Sequence, residues 1–79
     1  MPSKTPNISG KKLVKILKKL GFIHTHTVGS HFILKHTDGR KTTIPVHSNE
    51  TIGIGLLNKI IKKDLNMTKK QFLNLIQKF

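Results

Sequence analysis

The sequence predicts one small α+β domain, with three antiparallel strands and helices on one side of the sheet, on three observations. Apolar residues recur at helical spacing from Leu13 to Leu20 and again from Leu56 to Ile61. Between these stretches, from Phe22 to Val46, β-branched and aromatic residues become dense and the spacing falls to that of a strand. Two turn signals, Val28-Gly29-Ser30 and Thr37-Asp38-Gly39-Arg40, cut the middle region into three.

Each element has a local cause. Ser9 can cap a first helix in which Leu13, Val14, Ile16, Leu17 and Leu20 line one face and Lys11, Lys12, Lys15, Lys18 and Lys19 the other; Gly21 is suited to ending it. Strands are expected near 22–27, 31–36 and 41–46, with Asp38-Gly39 forming a tight two-residue hairpin. Pro45 has no amide hydrogen for a ladder, so the third strand should lie at an edge or end there. Residues 47–50 read as a loop. Leu56, Leu57, Ile60 and Ile61, interleaved with Lys59, Lys62 and Lys63, predict a second helix starting between Thr51 and Gly55. Thr68 caps a short third helix whose stripe is Phe72, Leu75, Ile76 and Phe79, and residues 1–8 are left as a lead. Three strands cannot bury an apolar face alone, so the first and second helices should pack together across one face and leave the other wet.

Composition bounds the function. A chain of 79 residues supports one modest core and excludes a two-domain enzyme. Fifteen Lys and Arg against three Asp and Glu give a net charge of +12, which attracts polyanions such as RNA, DNA, an acidic protein or an anionic membrane. The basic residues run from Lys4 to Lys78, so the charge belongs to the folded domain and not to a tail. There is no cysteine, which removes disulfides and thiolate zinc sites. No apolar run approaches the roughly 18 residues that span a bilayer. Residues 1–8 also lack a signal-peptide hydrophobic region, so the expected compartment is the cytoplasm, with no membrane partner.

Histidine is the chemically informative residue. His24 and His26 lie two apart on one strand face and with His36 could imitate an imidazole metal site, but Asp38 belongs to a turn and Glu50 to a distant loop. No metal or cofactor is therefore expected. A helix-turn-helix DNA binder would leave the three strands without a role, and a membrane-active peptide would not carry them at all.

The ordered string Ser9-Gly10-Lys11-Lys12-Leu13, Leu20-Gly21-Phe22, Gly29-Ser30-His31, Thr37-Asp38-Gly39-Arg40, Pro45-Val46-His47 and Gly55-Leu56 resembles the HicA family of toxins over almost the whole chain. The resemblance implies a double-stranded-RNA-binding-like fold and an mRNA-cleaving activity restrained by a HicB-like antitoxin. The family's catalytic histidine follows its glycine-containing turn, which here is His31. The family often has a second histidine immediately afterwards, where this chain has Phe32, and Thr51-Ile52-Gly53-Ile54 departs from the lysine or proline of relatives.

His31 can act as general base if the ribose 2′-hydroxyl attacks the neighbouring phosphate, chemistry that needs no metal. Lys35, Arg40 and Lys41, on the hairpin, are expected beside His31 as phosphate clamps. Ser30 and His47 are candidate RNA contacts, His47 because it matches a recurrent family histidine. Lys11 and Lys12 are candidates because the first helix of such folds meets the RNA minor groove. One histidine without an acid partner predicts slow turnover. The rival reading is a non-catalytic RNA-binding module of the same fold. Oligomeric state is not legible.

Overall fold

The computed structural model describes residues 7–47 and 50–78. Its elements are α1 (Gly10–Lys19), β1 (Ile23–Val28), β2 (His31–Lys35), β3 (Lys41–Pro45), α2 (Ile54–Lys59), a π-helical turn (Ile60–Asp64) and α3 (Lys69–Lys78). The strands form one antiparallel sheet in the order β1-β2-β3, so β3 is an edge strand and ends at Pro45. This is the expected α+β, double-stranded-RNA-binding-like arrangement.

Ser9 stands in extended conformation before α1, and its hydroxyl accepts the Lys12 amide at 3.1 Å. That bond satisfies one of the donors a helix start leaves open. The apolar side of α1 (Leu13, Val14, Ile16, Leu17) is buried with Leu34 of β2, Ile44 of β3, Leu57, Ile60 and Ile61 of the second helical segment, and Phe72 of α3. Burying side chains of this kind stabilises by roughly 1.5–3 kcal/mol each, so this one cluster supports the fold. Ile8 is also core: the Ile52 amide donates to its carbonyl at 2.8 Å, and Ser9 bridges Thr51. The lead is therefore shorter than expected, because Ile8 completes an apolar surface. Phe79, expected in the α3 stripe, lies outside the described residues, as do loop residues 48 and 49.

The two hairpins differ from the sequence reading in one respect. Val28 pairs with His31 across a two-residue turn, Gly29-Ser30. The second connection holds three residues, Thr37-Asp38-Gly39, between His36 and Arg40: the His36 amide donates to the Arg40 carbonyl at 2.8 Å and the Gly39 amide to the His36 carbonyl at 3.0 Å. The expected two-residue form would put Asp38 as well as Gly39 at positive φ. Here Gly39 (φ 98°) takes that conformation and Asp38 does not.

Three long-range contacts set the position of the sheet ends. Gly10 lies so close to β3 that a Cβ there would fall on the Pro45 carbonyl oxygen, which pins the start of α1 to the end of the strand. At the opposite end, the buried Thr42 hydroxyl donates to the Asp64 carboxylate at 2.9 Å and the Arg40 guanidinium to the Leu65 carbonyl at 2.8 Å. The π turn and the residue that caps it supply the two acceptors, and the Leu65 amide closes the turn on the Ile60 carbonyl.

Candidate active site

The register of the sheet decides what surrounds His31. His31 pairs with Val28 on one side and with Pro45 on the other, at the open end of the β2-β3 hairpin. The Val46 amide donates to the Ser30 carbonyl at 2.8 Å, which carries the chain just past Pro45 back beside the Gly29-Ser30 turn. His47 thereby meets His31, their ring centroids 6.5 Å apart at an interplanar angle of 82°. The Ser30 hydroxyl lies 3.5 Å from His47 Nε2, the outer limit of a hydrogen bond. His31 and His47 are exposed and Ser30 is half-buried. Sequence reading treated His31 as a lone imidazole; the neighbour sixteen positions away became visible only once Pro45 was in register with His31.

The remaining histidines each have at least one ring nitrogen occupied, and His36 has both. His36 Nε2 stands 3.2 Å from the Leu20 carbonyl, an acceptor, so that nitrogen carries the proton and Nδ1 takes the Asp38 amide at 3.1 Å. His24 Nε2 is 2.7 Å from the Thr27 hydroxyl, and His26 Nδ1 is 3.1 Å from that of Thr25. The His31 side chain makes no hydrogen bond among the described residues, which leaves both ring nitrogens for a ligand.

Two sequence expectations are corrected. His24 and His26 do not share a face: a bulge between them pairs His24 with Leu34 and His26 with the adjacent Ile33, and adjacent strand residues point to opposite sides. His24 stacks on Phe32 at 4.6 Å, on the side of the helices. The same alternation turns Phe32 away from His31, so a histidine at position 32 would not have joined this site.

Lys35, Arg40 and Lys41 are not beside His31. Lys35 pairs with Lys41 at the other end of the ladder, roughly 13 Å away at the usual strand rise. Both are exposed. Arg40 is engaged in the fold: its Nε donates to Asp38 at 2.7 Å, Nη1 to Leu65, and its guanidinium carbon stands 5.2 Å from the centroid of the Phe22 ring. The Arg40 amide, followed by the Arg40 side chain, holds the Asp38 carboxyl below its ordinary range. Sequence reading placed these cations near His31 because a hairpin is short; it did not distinguish the turn end from the open end.

Helix α1 starts at the open end. Lys11 and Lys12, both exposed, lie in its first turn, which touches Pro45 through Gly10. A surface groove of about 380 Å³ runs along the helix, lined by Lys11, Val14, Lys15, Lys18, Phe32 and Val46. Phe32 and Val46 face the helices, so this groove lies on the side of the sheet opposite the one from which His31 projects. Among the described residues no group of three His, Asp or Glu is placed to hold a metal ion, and no helix is long and apolar enough to cross a membrane.

The fold and this end of it define a small basic domain with a double-stranded-RNA-binding-like sheet and an imidazole-bearing turn. Residues 10–66 match the family described as "HicA toxin of bacterial toxin-antitoxin", and the chain belongs to that family. It is thus of the toxin kind, whose counterpart is an antitoxin. No curated protein matches the chain.

Proposed function

We propose that the protein is a metal-independent endoribonuclease that cleaves mRNA, with His31 as general base, and that a HicB-like antitoxin silences it by covering this basic surface. The uncommitted His31 ring is the observation that carries the reading: the four other imidazoles each have a polar partner, and His31 stands exposed at the end of the sheet where α1 starts.

In this mechanism one His31 nitrogen takes the proton of a ribose 2′-hydroxyl as its oxygen attacks the adjacent phosphate. Nucleophile and electrophile belong to the same nucleotide step, so positioning replaces most of what a metal would supply. Lys11 and Lys12 neutralise the phosphate charge from the start of α1, Ser30 contacts the backbone at the turn, and the lysines farther along α1 hold more of the strand. Lys35 and Lys41 serve a more distant stretch of RNA. Arg40 is a framework residue in this reading. A chain with 15 Lys and Arg and three Asp and Glu also suits an acidic antitoxin, whose association such charge accelerates.

The test compares the protein with His31→Ala, matched by circular dichroism, on a long single-stranded RNA in chelator. Cleavage by the first and not by the second is expected. RNA left intact by both but shifted in a gel would instead make the chain a binding module.

A further inference from the structure

We infer that His47 is the general acid of the same reaction, so that the site is a pair of imidazoles and not a single base. This rests on the ribonuclease reading and adds a second catalytic residue to it. In-line attack at phosphorus puts the attacking O2′ and the departing O5′ on opposite sides of the phosphate. Two proton-transfer groups must therefore flank it, each about 2.6–3.2 Å from its oxygen. Ring centroids 6.5 Å apart meet that demand. At this separation the imidazoles stand close enough for one nitrogen of each to reach a different oxygen of the same phosphodiester.

The surroundings leave His47 as the donor. Asp38 is bound by Arg40 and Asp64 by Thr42, both at the turn end of the hairpin. Glu50 is exposed in the loop beyond, where its own amide donates to the His47 carbonyl. Lysine ammonium holds its proton too tightly at neutral pH to match imidazole as an acid. Ser30, as both donor and acceptor, tolerates His47 before and after it gives up its proton.

The step balances. His31 takes the 2′-hydroxyl proton as the O2′–P bond forms. The P–O5′ bond breaks, and His47 delivers its ring proton to O5′. The products are a 2′,3′-cyclic phosphate and a 5′-hydroxyl; His31 ends protonated and His47 neutral, and water restores both.

The experiment replaces the scissile 5′-oxygen of an RNA oligomer with sulfur, a leaving group that departs without a proton. His47→Ala should cleave ordinary RNA about 10²-fold or more slowly, yet stay within about tenfold of the unaltered protein on the sulfur-linked RNA. His31→Ala should fail on both. His47→Gln, which can still bond Ser30, should behave as the alanine variant does. An equal loss on both substrates, rescue by glutamine, or no loss on ordinary RNA would each overturn the assignment. If the unaltered protein cleaves neither substrate, the ribonuclease reading itself fails, and a loss confined to His31→Ala spares that reading while removing His47 from it.

Discussion

The two ends of the β2-β3 hairpin carry similar chemistry and use it differently. At the turn end, His36, Asp38 and Arg40 bond to one another and to the Leu20 and Leu65 carbonyls, and Phe22 meets both the His36 ring and the Arg40 guanidinium. At the open end, His31 and His47 are exposed, and their one polar link among the described residues is the long contact from Ser30. A histidine whose nitrogens are both occupied by the fold is a fastener, whereas one with free nitrogens is available to a ligand.

The largest test of this contrast crosses two substitutions. His31→Ala should lower RNA cleavage by about 10²- to 10⁴-fold while leaving the melting temperature unchanged. His36→Ala should do the reverse, lowering the melting temperature while each folded molecule keeps its activity. Equal effects of both on cleavage would end the contrast.

Next in size is Gly10→Ala. Its Cβ has no room against the Pro45 carbonyl, so α1 must move from β3, at a cost of about 1–3 kcal/mol in a urea titration. Because Val46 and His47 follow Pro45, cleavage should fall too, beyond the unfolded fraction. This variant links the ends: it is a packing change with a catalytic effect.

Arg40→Ala removes the donor to the Leu65 carbonyl and the cation over Phe22 and should cost about 2 kcal/mol. RNA affinity should change far less than in Lys11→Ala or Lys12→Ala. A large affinity loss with unchanged stability would return Arg40 to the RNA-contacting set.

The smallest effect is in acid. The Asp38 carboxyl titrates below its ordinary value of 3.8 in the folded chain, held first by the Arg40 amide. Its contribution is complete above the unfolded value and fades as pH falls through the folded one. The urea midpoint of the protein should therefore drop more between pH 5 and acid than that of Asp38→Asn, and equal slopes would remove the carboxyl from the account.

The features legible in the sequence were those with local causes. Ser9 caps α1 through a bond three residues long, and Gly39 holds the positive φ its turn requires. The apolar stripes of α1 and the second helix became the core because their spacing matches the helical period. The features not legible were long-range. The bulge between His24 and His26 moved one of them to the other face, and nothing in His-Thr-His marks it. The commitment of Arg40 depends on Leu65, twenty-five positions later. The neighbour of His31 depends on the register at Pro45. His31 itself was legible only through its family resemblance, since a histidine at a strand start carries no catalytic signal of its own.

The π turn after α2 bears on how this chain can diverge. A π turn closes five residues back instead of four, so Ile60–Asp64 holds one residue more than a regular helix would need. Dropping a residue there would restore an ordinary helix, but would rotate everything after it by about 100° relative to what came before. Asp64 would then leave Thr42, the Leu65 carbonyl would leave Arg40, and Phe72 would turn out of the core. Letters in this segment can change so long as their number does not, and an insertion or deletion between Leu57 and Leu65 should be far less tolerated than a substitution.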